Sequence, residues 1–376
     1  MATLDSATRD QLGADWGSVL HATKRRVSAQ RITSATSTWQ LWVNFCTSLG
    51  VDTQNLPRDP VPLLQVFAQR LRAGTITPGR HPVQARTVED AVRAVGQAYA
   101  GLGALDPRLS RHGHLDFRLS SLFRSWSAAD DPPSRVKPLP ISLLTHVTQL
   151  AALEATPAAQ AAAACLVVGF YFLLRPGEYL GLPTASDNLF RLKDLQLWLG
   201  SRALDLTTAP AEDLLAATFA TLTFTRQKNG VRNERIGHGR SGHPTLCPVL
   251  ALVARVLALR SLNLPPTTPL NAFVASASEN PPLLYVLPND ITRRLRAALA
   301  IHPDPSLSAA EVSARSTRAG GAMALLCAGI PSDKIKMVGR WRSDELYRYL
   351  HVQAQPVMTG LSASMLHGGA YRLGPG

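Results

Sequence analysis

Residues 130–140 read Asp-Asp-Pro-Pro-Ser-Arg-Val-Lys-Pro-Leu-Pro, and this stretch divides the chain. Proline fixes φ, lacks an N–H donor and clashes with the preceding turn, so a helix cannot run through it. Upstream the pattern is helical. Downstream it is mixed: helix to about Leu174, then strands, then helices again. The segment 131–140 is therefore expected to be a linker between a helical domain, 1–130, and a mixed domain, 141–355, followed by a tail, 356–376. No internal repeat of 20–50 residues is visible.

Upstream, Ile32, Ala35, Trp39, Trp42, Cys46 and Leu49 recur at spacings of three and four, which places them on one helix face closed by Gly50. A second helix is expected from Thr87 as N-cap, with Asp90 three residues on, and Val88, Val92, Val95, Tyr99 and Leu102 forming its apolar stripe. Basic residues flank both: Lys24, Arg25, Arg26 and Arg31 before the first, Arg70, Arg72, Arg80 and Arg86 before the second, and Arg111, Arg118 and Arg124 after it. Any one of them reads as a solvated helix end. Together they read equally well as a surface that faces DNA.

Downstream, four separated segments carry the chemistry. In Leu173-Leu174-Arg175-Pro176-Gly177-Glu178 an apolar helix ends at an arginine. That guanidinium either pairs with a carboxylate, Glu178 being nearest, or faces an anion. In 217–236, apolar stretches around Phe219, Leu222, Phe224, Val231 and Ile236 flank Asn229-Gly230, a strong hairpin signal. Lys228 precedes that turn, and Arg226, Arg232 and Arg235 make the hairpin basic, which suits a phosphate backbone. In Arg315-Ser316-Thr317-Arg318-Ala319-Gly320-Gly321, two arginines open a helix, and a helix N-terminus favours anions. The small residues after them imply close packing or close approach of a ligand. Finally, 338–351 gathers Arg340, Trp341, Arg342, Tyr347, Arg348, Tyr349 and His351. Alone, this last segment is equally an ordinary amphipathic helix with a tyrosine anchor.

The bulk figures fit a folded nucleic-acid partner. The chain has 376 residues, 45% hydrophobic and 17% charged, with a net charge of +13. That excess calls for a polyanion. Lysine occurs only at positions 24, 137, 193, 228, 334 and 336, so arginine carries the charge. Cys46, Cys165, Cys247 and Cys327 are far apart, with no CxxC and no His at ligand spacing, so neither a metal nor a disulfide framework is expected and a reducing compartment fits. Met1 to Asp10 lacks a signal-peptide pattern. Ala161–Leu174 is too short to span a bilayer and reads as a buried core helix, so no membrane partner is expected.

Arg175, Lys228, Arg318, Trp341 and Tyr349 occur in the order of the active site of the tyrosine recombinases: Arg, Lys, His-x-x-Arg, His or Trp, Tyr. The second domain resembles that family from about Leu139 to Leu366, and the first only as a helical core-binding type. The stretches LLRPGEYLGL, STRAGGAMALLCAGIPSDKIKMVGRW and YRYLHV look most like recombinases of eukaryotic mobile elements, the Crypton and DIRS-like groups. The resemblance implies a mostly α fold with a small antiparallel sheet and hairpin in the catalytic domain, as a two-domain C-shaped clamp on duplex DNA. It implies a DNA recombinase and integrase that breaks and rejoins strands through a 3′-phosphotyrosyl intermediate, without metal, ATP or other cofactor. Tyr349 would be the nucleophile and Lys228 the acid, with Arg175, Arg318 and Trp341 on the phosphate. Lys24, Arg25, Arg26, Arg31, Arg86, Arg226, Arg232, Arg235 and Arg340 are the expected DNA contacts. A homotetramer on DNA is implied, and a nuclear site if the host is eukaryotic. One position departs from the pattern: Arg315 stands where the family has His, and arginine cannot serve as a base at neutral pH; it stays among the expected catalytic residues, where it would favour the tyrosinate electrostatically or contact phosphate. Tyr347 competes with Tyr349 as nucleophile. Two other readings share these residues: a DNA-binding relative with impaired catalysis, and a type IB topoisomerase.

Overall fold

The computed structural model describes residues 29–131, 136–184, 188–225, 233–275 and 282–348, and before them Gln11, Ala14, Asp15 and Ser18. The chain divides into two compact units, Met1–Pro133 and Ser134–Gly376.

The first unit is helical: α1 (Ala29–Ser48), α2 (Val61–Arg72), α3 (Ala85–Gly101) and α4 (Phe117–Ala129). Trp42 and Cys46 of the expected α1 stripe are buried, and Phe45 is buried beside them, whereas Ala35 and Leu49 of the stripe are exposed. Gly50 closes the helix with φ +68°, and the Val51 N–H reaches back to the Cys46 carbonyl at 3.0 Å. The Trp42 indole donates to the Tyr99 hydroxyl (3.0 Å), which donates to the Thr53 carbonyl (2.8 Å), pinning α1 to α3. α3 begins two residues before the expected cap at Thr87. The reason lies 45 residues away: the Asp130 carboxylate accepts the Ala85 N–H at 2.6 Å and also pairs with Arg72. No local motif could have announced that cap. Leu102, expected at the end of the stripe, lies past the helix and is exposed.

The second unit is built on a helix that is apolar on every side. α5 (Ile141–Glu154) and α6 (Pro157–Tyr171) replace the single helix expected up to Leu174. Pro157 cannot continue α5. Ala155 turns the chain with φ +53°, and the Thr156 hydroxyl caps α6 by accepting the Ala159 N–H. α6 is buried all round because α5, α9 (Pro248–Arg260) and α11 (Ser316–Cys327) pack around it. Between them come α7 (Pro176–Tyr179), β1 (Leu195–Leu199), β2 (Arg202–Leu204), α8 (Ala211–Ala216), β3 (Phe219–Phe224) and β4 (Glu234–Gly239). After α9 follow β5 (Ala272–Val274), β6 (Leu283–Tyr285) and α10 (Pro288–Ile301), and after α11 comes α12 (Ser332–Gly339).

The sheet is antiparallel in the order β2-β1-β3-β4, and β5 pairs with β6 separately. β3 and β4 are the two arms of the expected hairpin, in register from Phe219↔Gly239 to Phe224↔Glu234. The Asn229-Gly230 turn lies outside the described residues. Side chains alternate across a strand, so Phe219 cannot share a face with Leu222 and Phe224. Ala220 takes the inner place, and the exposed Phe219 ring covers Gly237, where a Cβ would come within 2.4 Å of it.

Part of the expected linker belongs to the second unit. The Lys137 N–H bonds the Glu311 carbonyl, the Leu139 N–H bonds the Ser316 carbonyl at 3.0 Å, and Leu139 is buried. The small residues of α11 serve close packing. A Cβ on Gly320 would lie 2.4 Å from the Leu139 carbonyl oxygen, and one on Gly321 would lie 2.1 Å from that of Phe170. α11 thus presses on the backbone at the end of α6.

Gly321→Ala gains helix propensity but drives a methyl into a fixed carbonyl. The expected outcome is a net loss of about 1–3 kcal/mol in urea unfolding. A second expectation concerns acid. The Arg294 guanidinium, 2.6 Å away, holds the Glu154 carboxyl down at about 2. A depressed folded pKa adds stability above the unfolded value, about 4.3, and that stability is lost as pH falls toward the folded one. The melting temperatures of wild type and Glu154→Gln should differ at pH 6 and converge by about pH 2.

Candidate active site

The site begins where α6 ends. A helix leaves its last carbonyls without partners and carries partial negative charge there. Leu173 closes α6 in the left-handed region, φ +50°, with the Leu174 N–H bonded to the Gly169 carbonyl at 2.9 Å. The carbonyls of Phe172 and Leu173 are left for other donors, and two arginines from distant segments take them. Arg318, on the first turn of α11, donates Nη1–H to the Leu173 carbonyl and Nη2–H to the Gly339 carbonyl, each at 2.5 Å. Arg340, just past α12, donates Nη1–H to the Phe172 carbonyl (3.1 Å) and Nη2–H to that of Leu173 (3.3 Å). Gly339 is the last residue of α12, so Arg318 bridges the negative ends of two helices.

Arg175 completes the cluster from the same elbow. It precedes α7, with Pro176 at the first helical position. The Glu178 carboxylate accepts the Arg175 N–H (2.8 Å) and the Arg175 Nη1–H (3.0 Å). It also accepts from Arg340 Nη2 at 3.1 Å. The sequence left Arg175 between an acid and an anion; the ion pair with Glu178 is formed, and the Arg175 side chain keeps 30% of its surface exposed. Glu178 is therefore the shared acid of two guanidiniums.

Aromatic rings close the remaining sides. The Arg318 guanidinium lies 4.2 Å from the Trp341 ring centroid, and that of Arg340 lies 3.7 Å from that of Phe224. The Trp341 ring folds over Gly339, where a Cβ would sit only 1.6 Å from it. Burial pushes the Arg340 guanidinium down to about 10; the neighbouring Arg175 charge adds to this, and Glu178 and Glu234 oppose it. At neutral pH it remains a cation.

The structure thus brings Arg175, Arg318 and Trp341 together. Arg340 requires a correction: it was expected among the DNA contacts, but its side chain has no exposed surface, because carbonyls and Glu178 draw it inward. Arg315 stands at the start of α11 and is exposed, unlike the buried Arg318 three residues on. Arg86 is exposed in the first turn of α3, and Arg235 is exposed on β4 opposite Thr223. Arg31 lies in α1, with its side chain outside the description. Lys228 and Tyr349, and likewise Lys24, Arg25, Arg26, Arg226 and Arg232, lie outside the described residues. Tyr347 is exposed, with the Lys336 ammonium 5.1 Å from its ring centroid and Lys336 paired to Asp344 at 2.7 Å. Sequence reasoning missed the packing roles of Phe224 and Gly339. The available signal was Gly-Arg-Trp directly after a helix, where a left-handed cap is common.

Among the described residues no group of three or more His, Cys, Asp or Glu could hold a metal, and no helix is long and apolar enough to cross a membrane. A cavity of about 320 Å³, lined by Lys193, Asp205, Val256 and Arg260 among others, contains none of the arginine cluster.

No family model matches the chain, and no curated protein matches it. In structure it is similar to the XerA recombinase, at 14% identity over 94% of this chain and 97% of that one, with a TM-score of 0.37. It is also similar to the Tn1549 transposon integrase. In that integrase's complex with circular intermediate DNA the identity is 13% over 88% and 98% of the two chains, TM-score 0.42. In its complex with transposon right end DNA the identity is 12% over 89% and 99%, TM-score 0.45. So distant a likeness transfers no residue's role.

Glu178→Gln removes the charge that two guanidiniums share and leaves Arg340 buried without its acid. Breaking a buried pair in this way is expected to cost about 3 kcal/mol, read from urea unfolding of the full chain.

Proposed function

We propose that the chain is a DNA recombinase that cuts and rejoins duplex DNA through Tyr349, as part of a mobile element of the Crypton or DIRS-like kind. The observation that carries this reading is the convergence of Arg175 and Arg318 on one helix end, with Trp341 against Arg318. Three segments, more than 160 positions apart at their extremes, meet in the order of the sequence motif.

In the proposed reaction the Tyr349 phenolic oxygen attacks the scissile phosphorus and its proton passes to solvent water. The bond to the 5′-oxygen breaks, and Lys228 gives that oxygen a proton. The products are a 3′-phosphotyrosyl link and a free 5′-hydroxyl. The link keeps the energy of the phosphodiester, so rejoining needs no ATP. Arg175 and Arg318 stabilise the charge that builds on the non-bridging oxygens, a task suited to a planar, permanently charged donor fork. The net charge of +13 supports duplex DNA as partner. Recombination joins two duplexes at four strand positions, which motivates a homotetramer on DNA, nuclear in a eukaryotic host.

One observation favours a second reading, a DNA-binding relative with impaired catalysis. Arg315 occupies the place of a His and is exposed, so it offers no base for Tyr349.

The test is covalent trapping. The protein is incubated in EDTA with labelled duplex DNA from the junctions flanking its gene, nicked near the cleavage site, then denatured in detergent. A shifted protein–DNA band is expected from wild type and from Tyr347→Phe, and none from Tyr349→Phe. Tight, salt-sensitive binding without any band, restored to cleavage in Arg315→His, would establish the second reading instead.

A further inference from the structure

The geometry points to Arg340 as a positioning residue that sets Arg175 and Arg318 in register with each other. This rests on the recombinase reading and assigns to that site a part that no motif position supplies.

Arg340 shares an acceptor with each of the other two arginines. It meets Arg318 at the Leu173 carbonyl, at 3.3 Å against 2.5 Å. It meets Arg175 at the Glu178 carboxylate, at 3.1 Å against 3.0 Å. Its other terminal nitrogen holds the Phe172 carbonyl at 3.1 Å. One planar fork therefore fixes three points of a single elbow, Phe172, Leu173 and Glu178, with Arg175 inside it. Lysine has no such fork.

The backbone explains how Arg340 gets there. Its φ is +59°, a conformation few residues other than glycine adopt. That single left-handed residue reverses the chain after α12. It sends the Arg340 side chain inward over Phe224 and lets Trp341 fold back over Gly339 beneath Arg318. The two arms of Gly339-Arg340-Trp341 thus grip the elbow from two sides. Arg340 has no exposed side-chain surface and Arg318 is buried as well; the exposed edge of the cluster belongs to Arg175, and Arg340 acts by holding both of its neighbours in place.

The test separates positioning from contact. Arg340→Gly keeps a residue suited to φ +59°, and Arg340→Lys keeps the charge against Glu178. Both are assayed as full chains for DNA affinity across salt and for the rate of covalent-complex formation on the nicked duplex. Misplacing catalytic groups by about 1 Å costs about 100-fold. Both variants should bind DNA with the wild-type affinity and salt slope, yet cleave about 100-fold more slowly. Arg175→Ala should lower the salt slope by about one as well. Guanidinium ion at millimolar concentration should recover part of the rate in Arg340→Gly and none in Arg340→Lys, where the cavity is filled. Should Arg340→Gly fail to fold, as urea unfolding would reveal, Arg340→Lys decides. A wild-type rate in Arg340→Lys, or a salt slope lowered by either variant, would overturn the positioning role alone. No covalent product from wild type would overturn the recombinase reading and the positioning role together.

Discussion

The carbonyl end of α6 is the point on which the second unit is organised. A helix that finishes in the interior leaves acceptors that must be paired, and water does not reach these. Arginine solves this unusually well. One guanidinium offers five donors in a plane, so two side chains satisfy Phe172, Leu173 and Gly339 and still reach Glu178. The solution also fixes the position of two cations to the geometry of a backbone. Packing enforces it: Gly321 lets α11 approach Phe170 closely enough for Arg318 to reach Leu173. Gly320 does the same for the segment around Leu139 on the other flank.

Burying guanidiniums is costly unless charge and hydrogen bonds are both supplied. Here the charge comes from one carboxylate and two helix ends, and ring faces take the surfaces left over. Arg255 is held in the same way, with no ion pair to an acid among the described residues. It is buried in α9, with Nε–H on the Leu270 carbonyl at 2.9 Å and Nη2–H on that of Ala272. The fold repeatedly uses arginine to tie loose carbonyls into its core. A count of basic residues therefore overstates the surface available to a polyanion.

Much of this was legible in the sequence, and the exceptions have physical causes. Local patterns found the core of α1, the hairpin arms and the helix opened by Arg315, because periodicity and turn chemistry act over a few residues. The start of α3 was misplaced, since its cap comes from Asp130 across the unit. Phe219 is apolar yet falls on the outer face, because side chains alternate along the strand and Ala220 takes the inner place. Part of the expected linker is hydrogen-bonded to the second unit. Prolines do stop helices, but a segment such as Lys137–Leu139 can still be bonded through its N–H groups to the elements beside it. Arg340 was read by charge alone. Whether an arginine faces water or a carbonyl depends on one backbone angle that composition does not record.

Arg315 and Arg318 make the same point within one turn. Spacing of three puts both near one side of a helix, yet one is solvated and the other buried. The difference is that Arg318 falls where α6 and α12 present their carbonyl ends, and Arg315 lies a turn before them. The cluster holds three guanidiniums and one carboxylate, which Arg175 and Arg340 share, and two helix ends supply roughly half a negative charge each. About one positive charge is left, nearest the exposed edge of Arg175. A phosphodiester carries one negative charge per linkage. Under the proposed reading it would neutralise the cluster when bound, and the pentacoordinate state, with one more negative charge, would be the species that draws most on the buried guanidiniums.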